Sequence, residues 1–142
     1  MSRLAMETFL ARPLLARLAT SEGDRPRVLP MWYLWDGSDL WMETSPTFAN
    51  ARILRVNPHA AVTIDEALGG FSLRAVVMRG TVKLVESPHD RVMEVVRAIY
   101  ARYLSREERD SPAGRGMLET GHLLIRFTPE RIISWDTSDS GG

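Results

Sequence analysis

Residues 27–35 read RVLPMWYLW, and in an extended chain this segment is apolar on both sides. Side chains alternate across a strand, so Val28, Pro30, Trp32 and Leu34 fall on one face and Leu29, Met31, Tyr33 and Trp35 on the other. Such a strand needs cover twice: a barrel interior on one face, and a helix, a ligand or a second subunit on the other. Pro30 has no N–H to give a ladder, which puts the strand at a sheet edge or a bulge and leaves neighbouring backbone groups free to meet a ligand. Trp32, Tyr33, Trp35 and Trp41 crowd this region. The pattern fits core packing and the wall of a site for a flat ligand equally well.

The surrounding chain predicts a meander. "LLARLAT" as a first strand, the turn formers "SEGDRP", the segment above as a second strand, then Asp36-Gly37-Ser38-Asp39 and "LWMETS" as a third strand follow one another. A short amphipathic helix over Arg3–Leu10, capped by Ser2 and stopped before Pro13, precedes them. In "SPTFANARILRVNP", Ser45 as cap and Pro46 at the first helical position predict a helix of about ten residues. Its N–H groups and dipole suit an anion, and Thr44, Ser45 and Thr47 add hydroxyls, although plain capping would use Ser45 alone. "AAVTID" and "FSLRAVVMRGTVKLVE" read as strands, with a bulge or bend at Gly80 that lets a small barrel close. Ser87-Pro88 with Asp90 predicts a boxed helix start, followed by the stripe Val92, Val95, Val96, Ile99, Tyr100 and Tyr103. After a charged, glycine-containing loop, "HLLIRFTPERIISWD" gives two short strands around a Thr128-Pro129-Glu130 turn. The fold class is therefore α+β: a six- to seven-stranded antiparallel barrel with three flanking helices, one domain over residues 1–136 and a frayed tail over 137–142.

Composition narrows the function classes. Zero net charge gives no whole-molecule field for nucleic acid or an anionic membrane, and no apolar run reaches the length of a membrane span. With no cysteine, disulfides, zinc–thiolate sites and thiol nucleophiles are excluded. The N-terminus lacks an unbroken apolar core of the signal-peptide kind, so a cytoplasmic location is expected. Lys83 is the sole lysine among 18 basic residues; an arginine-spelling genome explains this better than phosphate recognition does. Dinucleotide, phosphate-loop and nucleophile-elbow motifs are all missing. His59, His89 and His122 lack metal-ligand spacing and read as surface or turn residues. Asp65 and Glu66, as neighbours in a strand, face opposite ways. Chemistry carried by a cofactor would leave this kind of record.

The succession "ARLAT", "VLPMWYLWDG", "LWMETS", a helix ending "LRVNP", "AAVTID", "RGTVKLVE" and "RFTPERIISWD" resembles the pyridoxamine 5'-phosphate oxidase-like split-barrel family from about Ala16 to Asp136. The resemblance implies a six-stranded barrel that dimerises and binds FMN, or the deazaflavin coenzyme F-420, between subunits. It implies that Leu29, Pro30, Met31 and Trp32 lie along the flavin ring, with Met42, Glu43, Thr44, Ser45, Thr47 and the following helix near the phosphate. Where the family carries lysine and, three residues on, asparagine in that helix, this chain has Asn50 and Ile53, while Arg52, Leu54 and Arg55 keep the pattern. Asn50 brings a hydrogen bond without charge, and Arg52 is the candidate replacement. "RIISWD" replaces the Arg-x-His segment of true pyridoxamine phosphate oxidases, and Trp135 is placed to cover a flavin or to fill the core. The expected protein is a homodimeric flavin-dependent oxidoreductase exchanging hydride with a small-molecule redox substrate. The alternative is a split-barrel binding module that has lost tight flavin binding.

Overall fold

The segment that is apolar on both faces breaks at Trp32. Before it, β2 (Arg25–Met31) pairs with β1 (Ala16–Glu22); after it, β3 (Tyr33–Trp35) pairs with β4 (Leu40–Thr44). The computed structural model describes residues 1–119 and 121–138. Among these, seven antiparallel strands form one sheet in the order β2-β1-β5-β6-β7-β4-β3, where β5 is His59–Gly69, β6 is Ser72–Val85 and β7 is Leu123–Asp136. The two edge strands are thus successive in the chain with one residue between them. Because neighbouring Cα atoms are ~3.8 Å apart, the sheet must curl until its edges meet at Trp32. The result is a split barrel closed there by the chain itself, with Pro30 on an edge strand as its missing N–H requires.

The predicted alternation holds across the break. Met31, Tyr33 and Trp35 join the barrel core with Leu18, Val62, Ile64, Met78 and Phe127, while Trp32 and Leu34 pack outside. Helix α1 (Arg3–Leu10), capped by Ser2 as expected, buries Met6, Phe9 and Leu10 against the same core. Buried Tyr33 donates its hydroxyl proton to the carbonyl of Leu10 or Arg12, at 2.9 and 3.0 Å, and burial raises its phenol above the ordinary value. On the outside, α3 (His89–Tyr103) lays Val92, Val95, Val96, Ile99 and Tyr100 over Trp41 and Leu124.

Four sequence expectations change. First, Thr128-Pro129-Glu130 is a bulge within one strand and not a turn between two: Thr128 and Pro129 keep Thr81 and Gly80 as partners, and Glu130 alone is extruded. Gly80 makes this possible, since a Cβ there would sit 2.1 Å from the Thr128 carbonyl oxygen. Second, α2 (Ala49–Val56) starts later than Ser45 predicts and has no side-chain cap. Ser45 instead turns the chain locally, with its carbonyl accepting from Phe48 N–H at 3.0 Å and its hydroxyl 3.1 Å from that of Thr47. Third, Pro88 occupies the cap position of α3 in extended conformation, so Ser87 lies one residue too far out and no capping box forms. Fourth, the charged loop folds into α4 (Arg106–Asp110), with a true Ser105/Glu108 capping box, and α5 (Pro112–Glu119), which makes five helices among the described residues. Of the expected tail, Thr137 exchanges hydrogen bonds with Leu73 at 2.7 and 2.9 Å; residues 139–142 lie outside the described residues. No described helix is long and apolar enough to cross a membrane.

The β3–β4 turn carries a pH-dependent contribution to stability. Burial pushes the Asp36 carboxyl up, but bonds from Asp39 N–H (2.7 Å), the Trp41 indole (2.8 Å) and Ser38 outweigh it and hold the group at about 2. The folded value lies below the unfolded one, about 3.9, so the stabilisation is complete above that pH and disappears as pH falls through about 2. With screening by solvent it amounts to about 1 kcal/mol. Asp36→Asn should lower urea-measured stability by that amount at pH 7 and leave it unchanged below pH 2.

Candidate functional site

At the point where the barrel closes, the Trp32 ring stacks on Tyr103, with centroids 4.8 Å apart, and meets Tyr100 edge-on at 6.0 Å. Pro30, Met31 and Trp32 then line a groove of about 310 Å³ whose other wall is Glu43, Ile99, Tyr100 and Met117. Three of the four residues expected along a flavin ring therefore share one cleft. Leu29 does not line it; it is exposed on β2.

Alternation along β4 sorts the residues expected near a phosphate. Leu40, Met42 and Thr44 point into the barrel, and Trp41 and Glu43 point toward α3. The Met42 side chain is fully buried in the core. Thr44 is also buried and donates its hydroxyl to Asn50 Oδ1 at 2.5 Å, so this pair ties β4 to α2. Ser45 and Thr47 remain at the surface in front of α2. Arg52 is committed elsewhere: its guanidinium meets both carboxylate oxygens of Glu22, at 2.8 and 3.4 Å, and holds that carboxyl below its usual range. Arg55 pairs with Glu86 at 2.7 Å. Trp135 lies on β7 opposite Ala75, about one-third exposed and away from the groove.

His122 overturns its sequence reading as a surface residue. Its side chain is buried, with Nδ1 3.0 Å from Glu43 Oε1, and the same oxygen accepts the Tyr100 hydroxyl at 2.9 Å. Burial, reinforced by that carboxylate, raises the Tyr100 phenol and keeps it protonated. Glu43 Oε2 and His122 Nε2 are buried without a hydrogen-bond partner among the described residues, so a polar pair lies beneath the groove. A lone histidine ahead of an apolar run gave no periodic signal of this. No described group of three or more His, Asp or Glu residues is arranged to hold a metal.

A second trough of about 450 Å³ runs across the outer face of the sheet, lined by Ser21, Pro26, His59, Ala61, Arg79 and Arg131 among others. Arg79 and Arg131 are directly opposite each other in the β6–β7 ladder. Neither forms an ion pair or a side-chain hydrogen bond within the described residues. Around them, Val28, Ile133 and Trp135 leave this face apolar and uncovered.

Comparison with solved structures finds the same fold repeatedly. The conserved hypothetical protein Rv2991 of Mycobacterium tuberculosis is 26% identical, with TM-score 0.83 over 100% of this chain and 89% of its own. A protein described as an F420 reductase is 25% identical, with TM-score 0.66 over 89% of this chain and 94% of its own. The heme storage protein HutZ of Vibrio cholerae, 19% identical, shares the fold with TM-score 0.72 over 92% of each chain. No curated protein matches. The family described as pyridoxamine 5'-phosphate oxidase matches residues 3–136. With a match over nearly its whole length and the split barrel to go with it, the chain belongs to the pyridoxamine 5'-phosphate oxidase family.

Proposed function

We propose that this protein is a flavin-dependent oxidoreductase that binds FMN or the deazaflavin coenzyme F-420 at a homodimer interface and exchanges hydride with a small substrate. The observation that carries the reading is the groove at Trp32, whose wall residue Glu43 is followed by Thr44, the residue that ties β4 to α2. Ser45 follows two residues after Glu43 of the groove wall, just beyond the end of β4 and at most ~7 Å along the chain, so a ring and its tail have a short stretch to bridge. The residues fit the ring well, through Pro30, Met31 and Trp32. They fit the phosphate only by neutral groups: the Ser45 and Thr47 hydroxyls and the first N–H groups of α2, which no side chain caps. When bound, a flavin supplies the hydride chemistry, and the protein supplies shape and electrostatics. The F420 reductase neighbour supports the same reading. A second subunit would cover the apolar face around Val28, Ile133 and Trp135. The absence of an Arg-x-His segment argues against oxidation of pyridoxamine phosphate itself.

One observation favours a cofactor-free binding module instead: Asn50 is neutral and bonded to Thr44, and Arg52 and Arg55 are already paired. The visible spectrum of the purified or reconstituted protein decides between them. A two-band flavin spectrum or the single deazaflavin band is expected; failure to bind FMN, riboflavin or the deazaflavin would leave the module. Replacing Ser45 and Thr47 together by alanine should weaken FMN about tenfold, the worth of one hydrogen bond to a charged group, and leave riboflavin unchanged.

A further inference from the structure

Among the residues lining the Trp32 groove, Glu43 alone carries a carboxyl group, and the rest are apolar or aromatic. Register explains what lies behind it. Glu43 pairs with Leu124 across the β4–β7 ladder, so His122, two residues before Leu124, takes the diagonal place on the same face. The imidazole there is 3% exposed and meets Glu43 Oε1 through Nδ1 at 3.0 Å. Tyr100 closes the cluster from α3, donating to the same oxygen at 2.9 Å and keeping its own proton. The titratable groups assembled here are thus Glu43 from β4, Tyr100 from α3 and His122 from the residue before β7.

Two features separate this cluster from a purely structural one. Neither Glu43 nor His122 bonds a backbone group through its side chain among the described residues, so no helix end or strand depends on them. A carboxylate that accepts from Nδ1–H leaves Glu43 Oε2 and His122 Nε2 both as acceptors, and neither has a donor. Left so, both are buried at a cost. A proton loaded at Nε2 turns one of the two into a donor and gives the carboxylate a cation beside it.

We propose that Glu43 delivers a proton to the substrate in the groove, with His122 as the positioning residue behind it that stores and resupplies that proton. The inference rests on the flavin reading above and adds the part of the reaction that hydride leaves undone. A polarised C=C bond that receives hydride from the reduced coenzyme is left with negative charge at its other end. Loaded, His122 carries protons on both nitrogens; the Nδ1 proton crosses to Glu43 and from there to that end. Two bonds to hydrogen form as the π bond breaks, with the coenzyme oxidised by two electrons. His122 is left neutral until water reprotonates it. Such a pair favours neutral, apolar electrophiles over cations, which take hydride without a proton.

The test sets cyclohexenone, which needs hydride and a proton, against the N-methylacridinium cation, which needs hydride alone. Full-length protein is loaded with flavin, reduced without oxygen and mixed with each probe in single turnover. His122→Asn keeps an N–H for Glu43 but holds no transferable proton. In this variant the ratio of the cyclohexenone rate to the acridinium rate should fall about a hundredfold, the low end of general acid catalysis. Glu43→Gln should match it, and the double variant should fall no further, because the two residues act as a unit. An unchanged ratio, which a merely structural role predicts, would overturn the proposal, as would wild-type protein that reduces acridinium but not cyclohexenone. Imidazole nitrogen NMR of the cofactor-free protein gives a second readout. His122 should take up one proton between the alkaline and acid limits of the folded range, and constant protonation would sink the inference. Protein that takes no flavin, or whose reduced flavin reduces neither probe, removes the flavin reading and this inference together. An unchanged ratio in active protein removes this inference alone.

Discussion

Substituting alanine for Gly80 should cost about 3 kcal/mol of folding stability, measured by urea denaturation. The added methyl would lie 2.1 Å from the Thr128 carbonyl oxygen and 2.9 Å from Pro129 Cα. Both are backbone atoms of the paired strand, so no side chain can swing aside. β6 and β7 must separate where the bulge sets the register of everything beyond it, including the Arg79–Arg131 pair and Trp135. A loss of this size is a large fraction of the 5–15 kcal/mol typical of a domain. A Gly80→Ala protein as stable as the wild type would show that the two strands do not approach as closely as described. Surface positive-φ glycines such as Gly37, with nothing within 4 Å of an added Cβ, should respond only through their backbone angle.

Arg102→Met should cost a similar amount, about 3 kcal/mol, because methionine keeps the apolar stem and removes the donors. The guanidinium donates to four carbonyl groups: Tyr33 at 2.8 Å, Arg12 at 3.0 Å, Ala11 at 3.1 Å and Leu10 at 3.4 Å. The last three end α1, where helix carbonyls lack partners within the helix and a cation is favoured. Arg102 also lies 5.0 Å over the Tyr33 ring and 5.7 Å from that of Tyr103. Tyr103 in turn donates to the Leu14 carbonyl at 2.6 Å and stacks on Trp32. The loss should therefore reach the groove, with flavin affinity falling about tenfold along with stability. Lysine should restore only part of either, since a point charge with three donors cannot reach all four carbonyls. An Arg102→Lys protein with wild-type stability would refute the account.

Strands β1, β4, β5 and β6, an edge at Pro30, a bulge at Gly80 and the α3 stripe were legible because each is written in residues close together in the chain, whereas the break at Trp32 and the continuity of β7 were not. The groove was legible in part: Pro30, Met31 and Trp32 do meet Glu43. Other readings failed where a local signal had a competitor. Ser45 could cap a helix or turn the chain, and it turns the chain. The family resemblance grouped Met42 and Thr44 with Glu43 and Ser45, and strand alternation turns the side chains of Met42 and Thr44 inward. The loop before β7 holds two helices that close against each other at Gly114, where a Cβ would lie 2.2 Å from the Glu108 carbonyl oxygen.

Sequence by itself determined the rhythm of strands and turns, the two-sided apolar pattern of the segment around Trp32 and the lack of any self-contained catalytic motif. Alternation, turn chemistry and the missing N–H of proline act over a few residues, so they can be read without knowing what lies opposite. Tertiary structure alone decided that His122 lies against Glu43 across 79 positions of chain, that Arg79 faces Arg131, and that Arg52 is already paired with Glu22. These pairings follow from which edges meet when the sheet curls, and the free energy of that closure is summed over the whole barrel rather than held in any one stretch of residues.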